Sequence, residues 1–285
     1  MSEQASPVSM VERMTLIMGA FDATSPRLTL AELAERTGLP RSTTHRILDQ
    51  LVTLRWLEHS GQSYALGLLA LELGGLAAAH HTLRDIAAPL LASLHRRTGA
   101  IAHLAVLDRR DVVFIDRVGS GLSSDTVTRV GGRAPAHATA AGKALLAWAD
   151  EAVLVTFRGQ LTGRTPRTIT SLEVLRQDLL QVRGRGGIAY EREEMMPGSC
   201  AVAVALRGPG RPFAALQLSG DSRAMGLERL GPILQETAQQ ASRALFPYVP
   251  GRRRSRTVDR TPVPSAWPPG ALDRLVQGIG GDYWL

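Results

Sequence analysis

Between Val8 and Phe21 apolar residues recur at Met10, Met14, Ile17 and Phe21, the stripe of an amphipathic helix. The run "TSPR" at 24–27 breaks it. Thr29 followed by Glu32 has capping-box spacing, so a second helix starts there and packs through Leu30, Leu33 and Ala34. Gly38 ends that helix. Pro40 lies near the next start, and Ser42 is placed to cap a third helix with Ile47, Leu48, Leu51 and Leu54 along one seam. Ser42, Arg46, Asp49, Gln50 and Thr53 fall on its other face. Trp56-Leu57, a turn at Ser60-Gly61, and Tyr64-Ala65-Leu66 then predict a short hairpin.

Residues 68–80 continue as an apolar helix, and "TLRDIAAPLLASLHRRTG" (82–99) predicts another. From Ala100 the pattern changes to strands: "IAHLAVL", "DVVFIDRV", "CAVAVAL" and "FAALQLSG". Helices intervene at 139–149, 171–184 and 226–246. From Arg252 the chain turns basic and proline-rich, which predicts a disordered tail with one short helix near its end. The expected class is α+β and multidomain. The expected parts are a domain of helices and a hairpin at 8–67, a linker helix at 68–81, an α/β domain at 82–250 and a basic tail at 251–285.

Composition changes this picture in three ways. The chain has 285 residues and 44% apolar side chains, enough for about two domains with real cores. Its net charge of +7 favours acidic partners, yet residues 1–80 hold six arginines against eight acids, while 251–285 hold six arginines against three aspartates. The tail either adds sequence-independent attraction to phosphate or is a solvated extension. One cysteine, Cys200, excludes an internal disulfide and a cysteine-based metal cluster. The N-terminus lacks a basic segment leading into an apolar one, and the run at 66–79 is too short for a membrane span and carries Glu72. A cytoplasmic protein with no membrane partner is expected.

Two helices joined by a tight turn containing Gly, the second with a polar outer face, form a helix-turn-helix, and the hairpin that follows is its wing. In such a unit the start of the second helix enters the major groove of duplex DNA. Arg41, Ser42, Thr43, His45 and Arg46 crowd that start. Hydroxyls bind phosphate or base edges, Arg forks onto guanine, and the helix N-terminus suits a phosphate. A merely solvated polar face is the alternative; the capped helix before it and the wing after it argue against that.

Four segments together resemble the isocitrate-lyase-regulator (IclR) family of bacterial transcription factors. They are "LTLAELAERTGLPRSTTHRILDQLVTLRWLE", "GGRAPAHATAAGKALLA" (131–147), "GGIAYEREE" (186–194) and "GSCAVAVAL" (198–206). The resemblance covers about residues 8–248 and leaves out the tail. It implies a GAF-like second domain that binds a small organic molecule, often a carboxylate. It implies effector contacts from the backbone amides of Ala140 and Ala141, from Glu191 and from Cys200. Many members carry Asp where this chain has Glu191. The resemblance also implies homodimers, or dimers of dimers, on paired half-sites of a double-stranded operator.

Each residue also has a plainer reading. Cys200 packs as a small hydrophobe, Glu191 lies on a solvated acidic loop, Lys143 faces solvent or a helix end, and His137 braces a turn. A regulator or architectural protein that senses nothing is one alternative. A Cys-dependent enzyme is another, but Cys200 opens an apolar strand with nothing to activate its thiol. No spacing for a catalytic centre, metal or cofactor is present, so none of these is expected.

Overall fold

The computed structural model describes residues 9–22, 24–79, 82–120, 127–208 and 212–245. They form two compact units that divide between residues 81 and 82. The expected tail at 251–285, with its terminal helix, lies outside the described residues.

The first unit opens with α1 (Met10–Gly19), capped by Ser9 and Glu12 in a reciprocal box. Only Ile17 of its stripe is fully buried, Met10 is exposed, and Phe21 lies past the helix end. Next come β1 (Leu28–Thr29), α2 (Leu30–Thr37) and α3 (Arg41–Thr53). The Thr29 box is formed as expected: its hydroxyl accepts from Glu32 N at 3.3 Å, and Glu32 Oε2 accepts from Thr29 N at 2.7 Å. Such a cap stabilises by about 1 kcal/mol. Gly38 adopts φ 68°, the left-handed geometry that stops α2 at no steric cost.

Two expectations for α3 are corrected. Pro40, not Ser42, occupies its cap position, with no side-chain cap bond, because the helix already begins at Arg41 and Ser42 is its second residue. Leu54 leaves the seam: it follows the helix and is largely exposed, while Thr44 joins Ile47, Leu48 and Leu51 inside. The wing is β2 (Leu57–Ser60) paired with β3 (Ser63–Leu66). It gains a third strand absent from the sequence reading, since Leu28 and Thr29 of β1 pair with Tyr64 and Ser63. Helix α4 (Leu68–Ala79) ends this unit.

The second unit begins with α5 (Thr82–Thr98) and is built on a six-stranded antiparallel sheet. Its strands are β4 (Ile101–Asp108), β5 (Asp111–Val118), β6 (Arg133–Pro135), β7 (Ile188–Arg192), β8 (Ser199–Arg207) and β9 (Pro212–Asp221), in spatial order β6-β5-β4-β9-β8-β7. The central strands are buried on both faces. Val202, Val204, Leu216 and Leu218 pack with α5 and α9 (Leu227–Leu245) on one side. Ala201, Ala203, Ala205 and Ala215 pack on the other with α6 (Ala140–Leu146) and α8 (Leu172–Gly184). Large residues alternate with alanines along β8, and these alanines, with Ala215 of β9, let α6 lie close to the sheet. A short α7 (Glu151–Val155) sits between α6 and α8.

Candidate functional site

Two places carry the chemistry, one in each unit. On α3, Arg41, Ser42, His45 and Arg46 are exposed and Thr43 is half-buried. Ser42, His45 and Arg46 share the surface opposite the seam, and Arg41 and Thr43 flank it in the first turn. His45 Nδ1 lies 3.1 Å from Asp49 Oδ2, one turn on. Pro40 has no capping side chain, so the first-turn amides of α3 receive no side-chain cap bond among the described residues. Beside α3, His59 and Tyr64 stack across the wing at 4.4 Å between ring centroids. The surface has positive charge from Arg41 and Arg46 and donors in its hydroxyls and amides, and the hairpin follows it in the chain.

In the second unit a cavity opens between the N-terminus of α6 and the sheet. It is bordered by Phe114, Thr139, Ala140, Glu191, Cys200, Gln217 and Ser219, with Met195 and Met196 at its side. Its free volume of about 30 Å³ is that of one or two waters. The strand register explains its polar floor. Glu191 pairs with Ala201, which pairs with Ser219, so the three share one sheet face. Gln217 lies two residues along β9 on that same face and pairs with His103 of β4. Four polar side chains therefore sit buried beneath α6, where the neighbouring positions are alanines. Ser219 Oγ and His103 Nε2 are 2.8 Å apart.

Above this floor, Thr139 caps α6, its hydroxyl accepting from Gly142 N at 3.1 Å. Gly142 is required by contact: a Cβ there would fall 2.1 Å from Ala136 O. Ala141 N donates to Gln217 Oε1 at 3.0 Å. Of the two amides expected to face an anion, that of Ala141 is thus already held by a side-chain carbonyl, while Ala140 borders the cavity.

The "EREE" loop is not the solvated surface of the plainer reading. Glu191 is 3% exposed, and its Oε1 accepts from Glu194 N at 2.6 Å and Met195 N at 3.1 Å. Burial pushes its carboxyl up to about 7, against the pull of those two amides. Glu193 adopts φ 59° and accepts from Gly198 N and Ser222 Oγ. Glu194 reaches Lys143 Nζ at 2.7 Å. Thr165 and Thr168 clamp the loop from outside through the carbonyls of Glu193 and Glu194.

Lys143 neither faces solvent nor borders the cavity. It is 1% exposed and ion-paired to Glu194 and to Asp178 at 3.3 Å. His137 is buried, meets Thr162 O at 3.1 Å and stands edge-on to Phe157, so it braces the turn before α6. Cys200 borders the cavity, but its side chain belongs to the apolar layer of α5 and α9, with Sγ 3.8 Å from Asp221 O. Burial pushes the thiol up to about 11, so it stays protonated at neutral pH and is a poor nucleophile.

Residues 10–61 match the IclR helix-turn-helix domain, and residues 76–243 match the family described as bacterial transcriptional regulator IclR C-terminal. The chain belongs to the IclR family. It is 35% identical to the HTH-type transcriptional regulator XynR of Escherichia coli over 217 residues, covering 74% of this chain and 86% of XynR. It is 33% identical to the transcriptional repressor IclR of the same organism over 197 residues, 67% of this chain and 72% of that one. Among solved structures, an IclR homolog from Microbacterium hydrocarbonoxydans complexed with 4-hydroxybenzoate superposes with a TM-score of 0.69 at 29% identity. The match covers 81% of this chain and 96% of that one. These relatives are transcriptional regulators and repressors, not enzymes. Like them, this IclR-family chain is a transcriptional regulator with a helix-turn-helix DNA-binding domain and an effector-binding C-terminal domain. No helix among the described residues is long and apolar enough to cross a membrane.

Sequence reasoning missed Gln217, Ser219 and His103. A signal existed in "FAALQLSG": Gln and Ser alternate with Leu in a strand. Alternation normally reads as one wet face, and only the six-stranded sheet shows both faces to be covered.

Proposed function

We propose that this regulator binds its operator as a dimer through Arg41, Ser42, Thr43, His45 and Arg46, and that a small organic acid entering the α6 cavity changes operator affinity. The observation that carries the second half is the buried polar floor. Glu191, Gln217 and Ser219 occupy inward positions where apolar side chains would pack better, around a helix N-terminus suited to an anion. Ala140, Ala141 and Glu191 are the proposed first contacts, and Cys200 would contribute through its backbone at the cavity border, since its side chain packs in the layer of α5 and α9. Gln217 Oε1, on Ala141 N, occupies the place a ligand carboxylate oxygen would take. A structural neighbour holds 4-hydroxybenzoate, which supports a hydroxylated aromatic or comparably small acid as the class. Such a ligand exceeds the free volume, so Met195 and Met196 must shift, a role suited to unbranched, adaptable side chains. The protein works where its operator lies, in the cytoplasm.

The test is a thermal-shift screen of small carboxylates, followed by operator titration with and without each hit. A stabilising acid should alter operator affinity by about five- to 150-fold, and the operator should alter affinity for the acid by the same factor. An acid that saturates the second unit and leaves operator affinity unchanged would remove the sensor reading. Gln217→Leu should change acid affinity without changing operator affinity in the acid's absence.

A further inference from the structure

A second cleft lies in the same unit, against α9. It offers about 300 Å³, ten times the space beneath α6, which places it at the lower end of ordinary ligand sites. Val204 and Ala238 form an apolar base, and Trp148, Arg207, Gln235 and Arg243 form the walls. Three features of these walls are unexplained by the fold. The Arg207 guanidinium lies 3.7 Å over the Trp148 ring, which leaves its N–H edge for hydrogen bonds. Neither Arg207 nor Arg243 has a carboxylate partner among the described residues, so both guanidinium groups on this cleft are uncompensated by an acid. Finally, Trp148 Nε1 is buried without a hydrogen-bond partner among the described residues, a state a native indole rarely keeps.

The geometry shows how the gap is held open. Gly186 and Gly187 turn with φ of 70° and 95°. Gln235 donates to Gly186 O at 2.8 Å and so ties α9 to this turn. Arg207 N donates to Ser242 Oγ at 3.2 Å and ties the end of β8 to the same helix. The rim is anchored at both ends while the middle stays open.

We infer that this cleft is a second ligand site, for a flat organic monocarboxylate. The carboxylate accepts from the Arg207 and Arg243 guanidinium groups, with Trp148 Nε1–H as a further donor. The planar body lies on Val204 and Ala238 and against the guanidinium–indole stack. The site shares no residue with the α6 cavity, so occupancy of one does not require the other.

The probe is 4-iodobenzoate, titrated calorimetrically into the full chain and soaked into its crystals. Wild type should show an iodine anomalous peak between α9 and the end of β8. Arg207→Gln should weaken that binding at least tenfold, and Trp148→Phe, which keeps the ring and removes the donor, severalfold. Gln217→Leu, which alters only the α6 cavity, should leave it unchanged. Arg207 is a surface residue, so its variant should fold, and the milder Trp148 change gives an independent reading. No iodine peak at the cleft, or a peak whose solution affinity is the same in wild type, Arg207→Gln and Trp148→Phe, overturns the inference. Loss of all binding in Gln217→Leu does so too, by assigning the binding to the α6 cavity alone.

Discussion

Lys143 Nζ lies 2.7 Å from Glu194 Oε1, and this contact fastens α6 to the loop that borders the cavity. Asp178 of α8 approaches the same ammonium at 3.3 Å. One buried cation thus holds three elements around the proposed effector site. Burial pushes the Glu194 carboxyl up and Lys143 pulls it back. Lys143→Met should leave two carboxyls facing each other without a cation and cost about 3 kcal/mol of stability. The loss should be smaller at pH 4.5 than at pH 8, because burial raises the Glu194 carboxyl above its ordinary value of 4.5 and a protonated Glu194 needs no partner. Urea unfolding at both pH values measures it. Equal stability to wild type at pH 8 would show the pair to be dispensable.

Glu191 offers a sharper pH signature. Its folded carboxyl titrates at about 7, above the ordinary value of 4.5, because burial disfavours the ionised form. The folded state therefore holds this proton more tightly than the unfolded one. Stability from this group is complete below pH 4.5 and is lost as pH rises to about 7. The loss is about 3 kcal/mol at most. Glu191→Gln keeps an oxygen for the amides of Glu194 and Met195 but cannot ionise. It should match wild type near pH 4.5 and exceed it by about 1–3 kcal/mol at pH 8. Chemical denaturation across this range checks the difference, and parallel curves would refute the burial argument.

The same titration bears on ligand binding. An ionised Glu191 repels an incoming carboxylate, whereas a protonated one can donate to it. Affinity for an acid effector should therefore fall as pH passes 7, by up to about tenfold per unit, with the decline abolished in Glu191→Gln. Calorimetric titration from pH 6 to 8.5 gives the profile. An unchanged profile in the variant would place the ligand away from Glu191.

On α3, Arg46 is exposed, opposite the seam of Ile47, Leu48 and Leu51. Arg46→Ala should weaken operator binding by about 1–3 kcal/mol if the guanidinium forks onto a base, with circular dichroism unchanged. Random-sequence DNA should lose less, since phosphate contacts carry no base information. Wild-type operator affinity in the variant would take Arg46 out of the interface.

Local chemistry was legible wherever neighbours in sequence decide the outcome. The Thr29–Glu32 box, the Gly38 stop and the wing turn all depend on residues within a few positions of each other. What stayed hidden depends on distant strands. Two-residue β1 exists only because β3 returns beside it, and Leu54 leaves the seam because the helix ends one residue earlier. Only the family resemblance pointed to an inward Glu191; by its own neighbours the acidic "EREE" reads as surface, yet β8 and β9 bring Ala201 and Ser219 alongside it beneath α6. Lys143 gained its buried partners from residues 35 and 51 positions away.

Helix α4 bears on assembly. Leu68, Leu71 and Leu76 are 63%, 71% and 58% exposed, and its apolar residues surround the helix axis instead of forming one stripe. The one acid, Glu72, is occupied with Arg55 at 3.0 Å. A helix apolar on all sides is stable only when covered. A second copy of α4 fits that need, because a self-complementary apolar surface generates a two-fold dimer and places two α3 helices on one DNA duplex. Leu71→Glu combined with Leu76→Glu should leave the fold intact by circular dichroism, since neither side chain is buried. It should convert a dimer into monomers in sedimentation equilibrium at micromolar concentration. Operator affinity should fall at least a hundredfold, because two linked half-site contacts become two independent ones. A double variant that sediments and binds like wild type would mean that α4 is not the dimer contact.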